Sequence, residues 1–311
     1  MKKPFEKPPL SILDQIDHLK EKGLLIPDPD RAIHYLTHIS YYRLSGYWHP
    51  FQIDNGDGTH RFQEGLTFDV VLHHYVFDRA LRLLVMDAME RVEISLRNQW
   101  SCALSMTHGA HAYLNPELFC SHGDHAESLA ALAKEVKKSQ EMFIKHYLKT
   151  YDPPDLPPVW AVCKIMSLGQ LSRWYKLLKE PALRQRIANT YYLDEKNLVS
   201  LFHHLTTVRN CCAHHSRLWN RRFTVIMQLP KRKPENLTPN FNPASERHLY
   251  NTLVMLAYMM DIMNPGHHWK ERLGGLLTSY PDVQVQAMGF PKDWQDRPIW
   301  KGKLGHDATK S

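Results

Sequence analysis

Residues 67–105 read TFDVVLHHYVFDRALRLLVMDAMERVEISLRNQWSCALS. Leu81, Leu84, Val85, Ala88, Val92 and Leu96 recur in steps of three and four, which is the period of one helix face, and no proline interrupts them. The stretch predicts one very long helix. Glu90, Glu93 and Arg97 form a polar stripe on that helix, again at steps of three and four.

Outward from this helix the pattern stays helical. In SILDQIDHLKEKG (11–23), Ser11 and Asp14 are spaced as a capping box, Ile12, Ile16 and Leu19 form an apolar stripe, and Gly23 is placed to end the helix. A second helix is predicted from Asp30 to Ile39. The pair has the outline of a helix-turn-helix DNA reader, but any short helical hairpin has the same outline, and its second helix is short of Lys and Arg. In HISYYRLSGYWHPF (38–51), Tyr41, Tyr42, Tyr47 and Trp48 surround Arg43. They suit base stacking or a seam that anchors the hairpin, and the area that aromatic rings bury favours the seam. DNGDGTH (54–60) reads as a turn.

Toward the C-terminus, a loop over 106–123 precedes a helix that Asp124 and Glu127 are placed to cap and that runs to about Lys149. YDPPDLPPVW (151–160) is a stiff corner or a boundary. Further helices are expected over 160–179 with a break at Gly169, over 181–192, over about 195–219 behind Asp194, and from near Ser245 to Asn264. The tail should wrap the core. Neither a repeat nor a strand series is evident. The class is all-α, with residues 1–60 as a helical hairpin and aromatic linker and 61–311 as the main domain.

Apolar residues at 43% and charged residues at 23% describe a soluble globular chain. The longest apolar run, LVMLAYMM (253–260), is too short to span a bilayer, and the first residues turn polar and Pro-rich at once. A cytoplasmic location and no membrane partner are therefore expected. Five scattered cysteines without a CxxC read as free thiols. A net charge of +7 suits a nucleic-acid partner without requiring one.

The most chemical stretch is VRNCCAHHSRLWNRR (208–222). On the helix expected there, Leu198, Leu201, Leu205, Val208, Cys212 and Trp219 form the core stripe. His203, Thr207, Asn210, His214 and Arg217 form the opposite, polar face, with Arg209 on its flank. Adjacent helical residues point about 100° apart, so Cys211, Cys212, His214 and His215 cannot converge on one ion. Neither CxxC nor HExxH spacing is present, and no metal or other cofactor is expected. RNA can be cut by its own 2′-hydroxyl if a protein supplies an imidazole as general acid or base and a guanidinium for the charged phosphorane. Arg209, Asn210 and His214 contain that minimal set. The same spacing also suits an ordinary solvated or interface helix, which is the commoner reading of such residues alone.

VRNCCAHHSRLWNR resembles the RNxxxH motif of the HEPN superfamily of ribonucleases. Together with AIHYLTHISYYRLSGYWHPF, WAVCKIMSLGQLSRWY and MGFPKDW, it resembles the Abi-like (AbiD/AbiF) abortive-infection family over most of the chain. The resemblance implies a HEPN-type helical bundle with an N-terminal helical extension. It also implies a metal-independent endoribonuclease used in phage defence or as a toxin, with a structured small RNA as antitoxin. Arg209 and His214 would be catalytic and Asn210 supporting. HEPN motifs pair across dimers. This chain carries one RNxxxH, because Arg97–Asn98 has no histidine before His108, so a composite site would need a homodimer. Glu90, Arg97, His215 and Arg217 are auxiliary candidates. Lys164 stands where the resemblance leads to an acidic residue. The alternative is a catalytically inactive HEPN-like module that binds RNA or protein.

Overall fold

The computed structural model describes Pro4 and residues 8–301. Among them are twelve α-helices and one two-stranded antiparallel hairpin, so the fold is all-α as expected. None of these helices is long and apolar enough to cross a membrane. The described chain divides into two compact units, one running to Leu81 with Leu276–Val283 added, the other comprising Arg82–Gly275 and the residues from Gln284 onward.

The first unit opens with α1 (Ile12–Glu21), α2 (Pro29–Ile39) and α3 (Tyr41–Trp48). The Ser11–Asp14 capping box forms, and Gly23 leaves α1 with a left-handed φ of 90°. β1 (Gln52–Asp54) and β2 (His60–Phe62) form the small hairpin that the sequence had suggested only as a turn. Both strands have three residues, too few to show an alternating pattern. α4 (Phe68–His108) is the predicted long helix and runs on into the second unit. Its first turns receive the aromatic linker: Tyr47 and Trp48 are buried, and the Tyr47 hydroxyl donates to the buried Asp78 at 2.7 Å. Tyr42 is 89% exposed and takes no part in that seam.

The second unit holds the rest of α4, then α5 (His122–Lys138), α6 (Met142–Thr150), α7 (Val159–Ile165), α8 (Leu168–Leu177), α9 (Pro181–Asn189), α10 (Glu195–Ala213), α11 (Tyr250–Met263) and most of α12 (Trp269–Ser279). Several boundaries differ from the sequence reading. Ser121, not Asp124, caps α5. Asp124 and Glu127 also grip Arg173 on α8. The helix expected to reach Lys149 breaks at Ser139–Glu141. The break expected at Gly169 lies at Met166–Ser167, where Ser167 and Gln170 make a reciprocal capping box. Gly169 serves packing: a Cβ there would lie 3.3 Å from Thr206 Cγ2, so its absence lets α8 approach α10 closely.

α11 is the core helix. Every residue from Tyr250 to Asp261 is buried, as befits a helix apolar on all sides. Its polar members are satisfied. Asn251 exchanges two hydrogen bonds with the Asn242 backbone at 2.8 and 2.9 Å, and Asp261 meets Lys270 at 2.9 Å and His267 at 3.0 Å. The tail closes over the start of α11, as expected: Ile299 N–H donates to Asn240 Oδ1 at 2.9 Å and Phe290 packs edge-on against Tyr250.

Gly289, inside MGFPKDW, has a φ of 85°. A Cβ there would lie 2.7 Å from His248 Cβ and 2.9 Å from Ser245 Cβ. Both the left-handed backbone and the space demand glycine. Gly289→Ala is therefore expected to destabilise the protein by roughly 2 kcal/mol or more. An unchanged urea denaturation midpoint would refute that account.

Candidate active site

α10 is fixed along its whole length. At its start Asp194 caps it, accepting from Lys196 N–H at 2.9 Å, and Glu195 takes Arg184 Nε of α9 at 2.7 Å. At its middle the buried His204 spans two neighbours: Nδ1 lies 2.8 Å from Val225 O and Nε2 2.8 Å from Thr252 Oγ1. A carbonyl only accepts, so Nδ1 carries the proton and Nε2 accepts from the threonine hydroxyl. At its end Ser216 N–H donates to Cys211 O at 2.8 Å and His215 N–H to Cys212 O at 3.0 Å. With His215 at φ 56°, these bonds make a Schellman close.

That close corrects the expected helix. α10 stops at Ala213, His214 is its C-cap, and Arg217 and Trp219 lie beyond it. The left-handed turn at His215 is the physical reason, since it turns the backbone off the helix axis. Leu198, Leu201, Leu205, Val208 and Cys212 are buried as expected, and Asn210 and His214 are exposed one turn apart, joined by the bond from His214 N–H to Asn210 O at 2.9 Å. Cys211 is also buried, so both vicinal thiols face inward, and burial pushes the Cys211 thiol above its ordinary value. A thiol held protonated is a poor redox nucleophile. All five cysteines are free. Among the described residues, no three His, Cys, Asp or Glu side chains converge as a bound metal ion would require.

Arg209 turns the other way. It is half-buried and lines a cavity of about 1100 Å³ between α4, α7 and α10. Its Nε is screened from solvent and meets no acceptor among the described residues. Trp100 Nε1 is buried and unpaired in the same way, so what sets Arg209 apart is its place on the cavity wall. Glu90, Glu93, Arg97 and Asn98 form the α4 wall, and Trp160 and Lys164 the α7 wall. The structure thus places Glu90 and Arg97 at one cavity with Arg209. Asn210, His214, His215 and Arg217 lie outside its lining. Trp160 was absent from the candidate residues, and Lys164 stood out only through the resemblance. Both lie on α7, some 45 residues from the motif, and only the fold brings them near.

Arg97 differs sharply from Arg209. Its guanidinium bridges Glu93, one turn earlier on α4, and the Cys163 carbonyl in the last turn of α7. That carbonyl is one of those a helix end leaves without an intrahelical partner. Arg97 is thereby a structural tie between two walls of the cavity.

The Abi-like protein family matches residues 34–220, which contain α4, α7 and the whole of α10. The chain belongs to that family. Comparison with curated proteins and with solved structures gives no match. Within this Abi-like chain, the matched span supplies every wall of the Arg209 cavity.

Arg97→Met keeps the stem but removes both polar contacts, and leaves a shielded carboxylate and carbonyl unmet. It is expected to cost roughly 2–4 kcal/mol, read as a drop in the denaturation midpoint. Burial also holds the His204 imidazole below its ordinary pKa. The folded state therefore declines a proton that the unfolded chain takes up below about pH 6.5. Stability should be complete above that pH and fall as pH drops toward the folded value. Urea midpoints for wild type and His204→Gln at pH 7.5 and 5.5 test this. The variant should show the shallower loss, and equal losses would show that His204 carries none of it.

Proposed function

We propose that this chain is a metal-independent HEPN endoribonuclease of the AbiD/AbiF type, acting in abortive infection. Family membership supports the abortive-infection role, and one observation supports the chemistry: Arg209, the arginine of the RNxxxH stretch, lines an open cavity together with Lys164. A phosphate oxygen is the acceptor a guanidinium suits best. In the reaction, the substrate's 2′-oxygen attacks phosphorus and the P–O5′ bond breaks. A general base takes the 2′-proton and a general acid returns a proton to the 5′-oxygen. The products are a 2′,3′-cyclic phosphate and a 5′-hydroxyl. Arg209 stabilises the phosphorane, His214 moves protons, and Asn210 orients the phosphate.

One chain offers one such histidine, exposed at the end of α10 and outside the cavity that Arg209 lines. A second copy supplies the other proton carrier, so the working unit is a homodimer with a composite site. A structured small-RNA antitoxin belongs to the same reading through the resemblance, and a cytoplasmic location through the short apolar runs of the sequence. The second reading, a HEPN-like module that binds RNA without cutting it, is favoured by Lys164, a cation in the same cavity wall.

RNA cleavage by the purified chain in EDTA separates these readings. Wild type should cut, and Arg209→Ala and His214→Ala should lose at least about 100-fold in rate while staying folded. End-group analysis should find cyclic phosphate. Products bearing 5′-phosphate that need Mg²⁺ would sink the mechanism, and binding without any cleavage would promote the second reading.

A further inference from the structure

A second cavity of about 560 Å³ adjoins the first, and Trp160 and Lys164 line both. Phe143, His146, Tyr147 and Tyr151 make the second one aromatic. Large rings normally earn their place by burial, yet Trp160 is 51% and Tyr151 54% exposed. The Pro-rich corner over 151–160 holds this wall. The Tyr147 hydroxyl donates to Pro154 O at 2.9 Å, and the buried Tyr113 hydroxyl donates to Pro157 O at 2.6 Å. Tyr147 and Tyr151 lie 5.2 Å apart between ring centroids. Lys164 Nζ sits over the Phe143 ring at 5.5 Å, which holds the ammonium at the junction of the two cavities.

We propose that this aromatic cavity is a subsite for one unpaired nucleobase of an RNA strand, whose backbone is held by Lys164 and Arg209. The inference rests on the ribonuclease reading for the identity of the strand. Stacking requires an open base face, which a duplex hides, so the substrate enters single-stranded or from a loop. Aromatic platforms beside fixed cations are how proteins hold single strands with little regard for sequence. A peptide without acidic side chains would use the rings but would bring no anion to Lys164 and Arg209.

The test uses the full chain and a short single-stranded RNA methylated at every 2′-oxygen, which cannot be cut by 2′-attack. Tyr151→Ala and Trp160→Ala should each weaken its binding by roughly tenfold or more, while Trp160→Phe keeps most of it. Both side chains are half exposed, so circular dichroism should show the fold intact. The matching duplex should bind more weakly than the strand. Abasic substitution along the strand should reveal one position that weakens wild type as much as Tyr151→Ala does. That abasic strand should lose nothing further in the Tyr151→Ala variant. Wild-type binding by both alanine variants, a preference for duplex, or no strand binding overturns the subsite. If those results accompany cleavage of unmodified RNA, the ribonuclease reading survives alone. If the stacking results hold but nothing is cut, the subsite survives alone.

Discussion

The Arg97 guanidinium is the contact on which the cleft depends. It joins Glu93 of α4 to the Cys163 carbonyl at the end of α7. Both groups are largely shielded from solvent, so neither water nor salt can easily replace the arginine. A cation at a helix C-terminus also suits the helix dipole. The short α7 ends without a backbone cap of its own, and this bridge sets where Trp160 and Lys164 stand. Without it the wall shared by the two cavities would lose its charged anchor to α4.

Positioning of the third wall is a separate problem with a separate solution. α10 is gripped at its first turn by Arg184, at its middle by His204, and along one face by α8 through Gly169. It is therefore rigid where Arg209 leaves it. Two arginines at one cavity have opposite states: Arg97 has its acceptors and Arg209 Nε has none. The first ties two walls of the cavity together, and the second lines it without an ion pair among the described residues.

Much of this was legible in sequence. The long helix over 67–105 showed itself because the period from Leu81 to Leu96 sits in a long stretch without proline. The Ser11 box, the Asp194 cap and the core stripe of α10 follow from local spacing. The errors came where tertiary contacts override local pattern. Nothing near His215 announces a left-handed residue, because glycine is its usual marker and histidine took the place. Asp124 was spaced to cap α5, but the N-cap is Ser121, and the Asp124 carboxylate meets both Ser121 and Arg173, which is distant in sequence. Gly169 looked like a helix break, while its role lies in a neighbouring helix. The site divided the same way. Arg209, Asn210 and His214 stood together in one heptad, but Trp160 and Lys164 had no local signal, since their relation to Arg209 exists only across the packed helices.

The cavity's charge needs one further step, because its α4 wall looks acidic. Asp87, Glu90 and Glu93 all line it, which by count would repel a phosphate backbone. The pairing changes that count. Arg272 holds Asp87 at 2.6 Å, with Arg91 at 3.7 Å on its other oxygen, and Arg97 holds Glu93. A carboxylate whose field is met by a guanidinium a few ångströms away exerts little repulsion beyond it. Glu90 is then the one carboxylate of this wall without an ion pair among the described residues, set against Arg209 and Lys164. An anionic strand meets a small local excess of positive charge on α7 and α10, across the cavity from a helix face that is acidic in sequence. Glu90 confines that excess toward α7 and α10, the side on which the aromatic cavity opens.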